Sequence, residues 1–125
     1  MPADRMRRVN EALREVLSAR IAGGLKDPRV GFVTVTAVDT SPDLRHARVY
    51  VSVLGDEDER AATMEGLESS RGFLQAGIAR ELRIKHPPAL VFQRDEALER
   101  GMRISELLDE VVEADERDDG DERDS

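Results

Sequence analysis

Cysteine and tryptophan are absent from the chain, and aromatic residues make up only 3% of it, one tyrosine and three phenylalanines. Without cysteine there is no disulfide framework and no thiolate nucleophile or metal ligand. So few aromatics argue against a surface that reads nucleic-acid sequence by stacking several bases. Phe32, Phe73, Phe92 and Tyr50 are therefore expected to serve as core or half-buried packing. No apolar run approaches the ~18 residues that a membrane span needs. The opening stretch MPADRMRRVNEALREVL turns amphipathic at once, where a secretory signal would run apolar. The expectation is a cytoplasmic chain that does not engage a membrane.

Catalytic motifs are missing as well. His46 and His86 stand in different segments, and neither has the H-E-x-x-H or paired-cysteine spacing of a zinc site. There is no G-x-S-x-G elbow, no phosphate-binding G-x-x-x-x-G-K-S/T loop and no G-x-G-x-x-G; Gly23-Gly24 reads as a helix stop. A calcium loop turning at Gly120 would put Arg117 at a ligand position and run out before its bidentate glutamate. The chain is expected to be no enzyme and to carry no metal or cofactor.

What the chain does have is charge, unevenly placed. The formal net charge is -8 over 125 residues. The last thirteen residues, EADERDDGDERDS from Glu113 to Ser125, hold eight acidic and two basic residues and account for -6 of it. They contain no core-forming side chain and are expected to be a disordered acidic tail, leaving 1–112 as one small domain. Within that body Met1–Gly31 and Ser70–Arg103 each carry seven basic and four acidic residues, while Asp56–Glu68 carries six acidic and one basic. Such a domain is bipolar, and its basic parts offer a cationic ridge to a polyanion. Phosphate and shape contacts are favoured over base reading.

Hydrophobic spacing gives the elements. Met6, Val9, Leu13, Val16 and Leu17 recur at helical intervals after Asp4, and Gly23-Gly24 closes the helix. From Phe32, Val33, Val35 and Ala37 alternate with Thr34, Thr36 and Val38, predicting a strand. Thr40-Ser41-Pro42-Asp43 reverses the chain into a second strand with Ala47, Val49, Val51 and Val53 on one face and Arg48, Tyr50 and Ser52 on the other. The acidic run Asp56–Glu59 suits a helix N-terminus. Leu74, Ile78 and Leu82 then stripe one side of a helix, opposite Ala76, Arg80 and Arg83. A kink is expected near Ser70-Arg71-Gly72, Gly72 being a candidate for left-handed backbone. Pro87-Pro88 is expected to stop that helix and launch a strand over 89–93. A short C-terminal helix, interrupted around Gly101, should follow.

The order helix, strand, strand, helix, helix, strand is that of a type II KH-like α+β fold, a three-stranded sheet with helices on one face. Three blocks carry the resemblance further: Arg5-Met6-Arg7-Arg8-Val9-Asn10; Lys26-Asp27-Pro28-Arg29 leading to Val33-Thr34-Val35-Thr36, Asp43-Leu44 and Ala47-Arg48-Val49-Tyr50-Val51-Ser52; and Arg83-Ile84 through Pro88, Leu90, Phe92 and Asp95 to Gly101-Met102-Arg103-Ile104. Together they make the chain resemble bacterial ribosome-binding factor A over about Asp4 to Val112. The resemblance implies a non-catalytic factor that binds the small (30S) ribosomal subunit and its rRNA. It further implies help in late maturation, including processing of the 5′ end of 16S rRNA, and support of growth in the cold. The factor is expected to act as a monomer, with ribosomal proteins as further partners. Usual KH domains grip nucleic acid with a G-x-x-G loop; this family has an A-x-G kink there, and Ser70-Arg71-Gly72 matches it here. The RNA-contacting candidates are Arg5, Arg7, Arg8, Arg71, Arg80, Arg83, Lys85 and Arg103. The competing reading is a protein-interaction module whose arginines pair with its own acidic segment 56–68 or with an acidic partner.

Overall fold

In the computed structural model, which describes residues 2–101, 107–108 and 111–112, the first helix, α1, runs from Pro2 to Ala22. It forms where the apolar stripe predicts, with Leu13, Val16 and Leu17 buried and Val9 half-buried. Ile21, one turn beyond the expected stripe, is buried with them. Asp4 in the first turn and Arg20 in the last complement the helix dipole. Gly24, at φ +94, turns the chain out of the helix through backbone that a side chain would strain.

Strands β1 (Val33–Thr40) and β2 (His46–Val53) pair antiparallel. Strand β3 (Ala89–Arg94) joins β2 in parallel, so β2 lies at the centre of the sheet. That position explains why Ala47, Val49, Val51 and Val53 are each no more than 1% exposed. Burying a valine fully stabilises the fold by about 1.5–3 kcal/mol. Strand β1 departs from simple alternation. Its register shifts between Val35, opposite Val51, and Ala37, opposite Tyr50, leaving Thr36 as the extra residue of a bulge. One extra residue reverses the side-chain alternation. Val38 and Thr40 therefore join Val35 on the buried face and Ala37 is exposed, the opposite of the spacing-based expectation.

Asp56 caps helix α2 (Glu57–Ser69). Its Oδ1 accepts the Glu59 N–H at 2.8 Å, and the Glu59 carboxylate accepts the Asp56 N–H at 3.3 Å, a reciprocal capping box. The acidic run is thus spent on helix initiation, as its placement suggested. Helix α3 (Arg71–Leu82) follows after the single residue Ser70, at φ -89 and ψ 1. Ser70 Oγ donates to the Gly66 carbonyl at 2.9 Å, satisfying a hydroxyl buried at the break. Leu67, Leu74 and Ile78, all at 0% exposure, join the same core as β2 and α1.

The stop of α3 is not made by the prolines. Arg83 takes left-handed backbone, φ 55 and ψ 44, and the Ile84 N–H donates to the Ala79 carbonyl at 3.0 Å. This is a Schellman-type closure, completed at Ile84, three residues before Pro87. The described residues up to Asp95 form one compact unit, and those from Glu96 onward belong to a second. In the second, residues 96–101 are helical, Gly101 included, as are 107–108 and 111–112. The acidic segment 113–125 lies outside the described residues.

Candidate RNA-backbone interface

Ion pairing sorts the cations into two groups. The acidic helix α2 engages Arg94, whose guanidinium lies 3.2 and 3.3 Å from the two Glu57 carboxylate oxygens, and also Arg60. Those arginines, Arg94 first, hold the Glu57 carboxyl below its usual range. Further along, Glu65 pairs with Arg29 and Glu68 with Arg71, both at 3.3 Å. Arg29 also clamps Asp27, at 2.7 Å from Oδ2, and donates to Ser69 Oγ at 2.8 Å. The Lys26-Asp27-Pro28-Arg29 block is thus a strut that ties the α1–β1 connection to α2.

The candidate ridge behaves differently. Arg5, Arg8, Arg80, Arg83 and Lys85 are exposed and have no carboxylate partner among the described residues. Arg7 leans on Asp4 at 3.9 Å, and Arg71 is neutralised by Glu68 while reaching toward the Leu90 carbonyl at 3.5 Å. Arg103 lies outside the described residues. Of the proposed contacts among the described residues, only Arg71 pairs with the acidic helix, so the internal-pairing reading does not account for the others described.

The fold gathers part of this set at one end of the molecule. Helices α1 and α3 pack together, and Arg20 near the end of α1 bonds Glu81 at 2.9 Å. The first half of α1 meets the connection between α3 and β3 around a cleft of about 330 Å³. Val9, Ala12 and Leu13 of α1, Leu44 of the β1–β2 turn, and Leu82, Ile84 and Pro88 supply its apolar lining, and Arg8, Thr40 and His86 its polar groups. Arg83 and Lys85 flank Ile84 in the chain. Asn10, one turn beyond Met6, accepts the Thr40 N–H at 2.9 Å and so pins the end of β1 to α1.

The kink differs from its expected form. The helix break sits at Ser70, and Gly72 lies inside α3 with no positive φ and no atom within 4 Å of a Cβ built on it. Ala76 and Arg80 are exposed, opposite buried Leu74 and Ile78, while Leu82 is half-buried. Two of the aromatics assigned to packing are not in the core: Phe32 is 80% exposed and Phe73 52%. Phe73 carries the Arg20 guanidinium 5.8 Å from its ring centroid. Sequence reasoning missed the cleft and His86, because three separate stretches of chain, 8–13, 40–44 and 82–88, build it and no local pattern announces their meeting. Arg45, exposed beside left-handed Leu44, adds a cation at the β1–β2 turn that was also not foreseen.

A three-stranded sheet with a parallel third strand, backed by helices in the order α-β-β-α-α-β, is the type II KH-like arrangement, here with a one-residue break where such domains carry a glycine loop. The chain belongs to the ribosome-binding factor A family, whose model matches residues 5–108. It is 47% identical over 118 residues to ribosome-binding factor A of Halothermothrix orenii, covering 94% of this chain and 97% of that one. The crystal structure of ribosome-binding factor A from Thermus thermophilus superposes with a TM-score of 0.65 at 29% identity, over 74% of this chain and 97% of that one. A Thermus thermophilus ribosome binding factor A homology model, fitted into the cryo-EM map of a complex with 30S, gives a TM-score of 0.57 at 32% identity, over 68% of this chain and 89% of that one.

Proposed function

We propose that this protein binds the small ribosomal subunit through its rRNA backbone, as a monomer in the cytoplasm. In this reading it assists late maturation, including processing of the 5′ end of 16S rRNA, with most benefit in the cold. It does so without catalysis: it occupies and shapes RNA, and other factors cut it. The observation that carries this reading is the set of exposed cations on α1 and at the end of α3, left without carboxylate partners among the described residues although the chain is acidic overall. The 30S complex formed by the Thermus thermophilus relative supports the choice of polyanion.

Co-sedimentation with purified small subunits, large subunits and whole ribosomes tests it. The wild-type chain should pellet with small subunits. Replacing Arg80 and Arg83 together with Glu should abolish most of that binding while thermal unfolding stays nearly unchanged, since exposed charges contribute at most ~1 kcal/mol to stability. Binding should weaken steeply between about 50 and 200 mM salt as counterions compete for the phosphates. Unaltered pelleting of the double variant would remove α3 from the interface. For the maturation step, cells lacking the protein should accumulate 16S precursor with an unprocessed 5′ end, more at low temperature, and the double variant should fail to rescue them.

A further inference from the structure

The cleft at the α1–α3 end contains one feature that simple packing does not explain. Thr40 is only 4% exposed, and its Oγ1 is buried without a hydrogen-bond partner among the described residues. A buried hydroxyl left unpaired is destabilising, whereas valine has the same shape and no such cost. Thr40 lines a cleft that is otherwise walled mainly by aliphatic side chains, with Arg8 and His86 as its other polar residues. Its volume, about 330 Å³, is at the small end of ligand sites and suits a single planar ring system.

We propose that this cleft receives one unstacked nucleobase of the RNA, with Thr40 bonding the base edge and Arg8 and its uncommitted neighbours Arg83 and Lys85 holding the flanking phosphates. The proposal rests on the RNA-binding reading above and deepens it. Single-stranded RNA is read in this way, by splaying a base out and bonding its edge. Aliphatic walls take the place of aromatic ones, as they do in pockets that hold a flipped base between apolar side chains. An aliphatic side chain of a protein partner would fill the cleft yet leave the hydroxyl unpaired. A free amphiphile would use one cation and leave the rest. A base on its sugar-phosphate chain satisfies the hydroxyl, the walls and the cations together.

The full chain, 13C-labelled at Ile, Leu and Val methyls, is titrated with four homopolymeric hexaribonucleotides and with matching hexamers whose central nucleotides are abasic. At least one base-bearing hexamer should shift the methyls of Leu44, Leu82 and Ile84, and its abasic counterpart should not. Thr40→Val should then bind that hexamer about fivefold more weakly, the loss of one hydrogen bond, while its Tm rises because the orphan hydroxyl is gone. The abasic comparison uses the wild-type chain and so does not depend on how the variant folds. Cleft methyls that respond to none of the four hexamers, or equally to abasic ones, overturn the base site; small-subunit pelleting and its salt dependence judge the phosphate reading separately. A Thr40→Val chain that binds small subunits more tightly would assign the cleft to an apolar protein side chain and also overturn the proposal.

Discussion

Arg83 joins local strain to exposed charge. A side chain in left-handed backbone costs roughly 1–2 kcal/mol, which glycine avoids. Arg83 adopts that conformation at φ 55, where it closes α3 and stands among the uncommitted cations. Arg83→Gly should therefore raise stability by about 1 kcal/mol in urea unfolding and at the same time weaken small-subunit binding, lowering the salt slope by about 1. A glycine variant with unchanged binding would reduce Arg83 to a helix stop. Asp27 shows the converse, a charge pair devoted to structure. The Arg29 side chain first, and its backbone N–H second, bring the Asp27 carboxyl down to about 2 from an ordinary 3.8. Because the folded value is depressed, the unfolded chain binds more protons between these values, and stability rises with pH across that window. The contribution is complete above about pH 4 and is lost as pH falls through about 2. Asp27→Asn should flatten the urea midpoint over this acid range relative to wild type. Parallel curves for the two chains would show that the strut adds nothing.

Among the elements, the junction of α2 and α3 separates what glycine is for from where glycine occurs. A Cβ at Gly66 would stand 2.6 Å from Val30 Cγ2 and 3.3 Å from the Val30 backbone nitrogen, so α2 can approach the Arg29–Val30 segment only without a side chain there. Gly66→Ala should cost roughly 1–3 kcal/mol through overpacking. Gly72 has helical backbone and open space, so Gly72→Ala should stabilise by roughly 0.4–1 kcal/mol. Thermal melts of the two single variants should move in opposite directions, and destabilisation by Gly72→Ala would restore the glycine kink. The sequence pointed to a break in this region but placed its geometric demand on the wrong glycine, because close approach between distant segments leaves no local pattern. The same limit explains the other differences. Stripes such as Leu13–Leu17 and Val49–Val53 were legible because burial on one face dictates period. The Thr36 bulge was not, since Val38 is as good a strand residue on either face. Nor was the exposure of Phe32, whose apolar character alone argues for burial. Of the candidate interface, the basic content of α1 and α3 was readable, whereas which cations remain unpaired depended on where α2 placed its carboxylates.

At the scale of the whole molecule, the chain keeps its opposite charges apart. Helix α2 engages its carboxylates in a capping box and in pairs with Arg29, Arg60, Arg71 and Arg94, while Arg5, Arg8, Arg80, Arg83 and Lys85 stay open to solvent with no carboxylate partner among the described residues. The last thirteen residues then add -6 to a body that without them carries only -2. Charge of that sign on the same chain opposes the approach of RNA at any separation below the Debye length, which is about 30 Å at 0.01 M salt and 8 Å at 0.15 M. Tethering sustains the effect at a local concentration that dilution does not lower. Removing residues 113–125 should therefore strengthen small-subunit binding at low salt, chiefly by raising the association rate, and the advantage should fade toward physiological salt. Unfolding should be unaffected, because the removed residues carry no core-forming side chain. Replacing the eight acidic residues of this segment with Ser and Gln should reproduce the deletion if charge is the cause. Equal affinities of full and shortened chains at both salt levels would leave the segment without influence on binding, and a gain that persists at high salt would mean that it occludes the interface by contact rather than by its field.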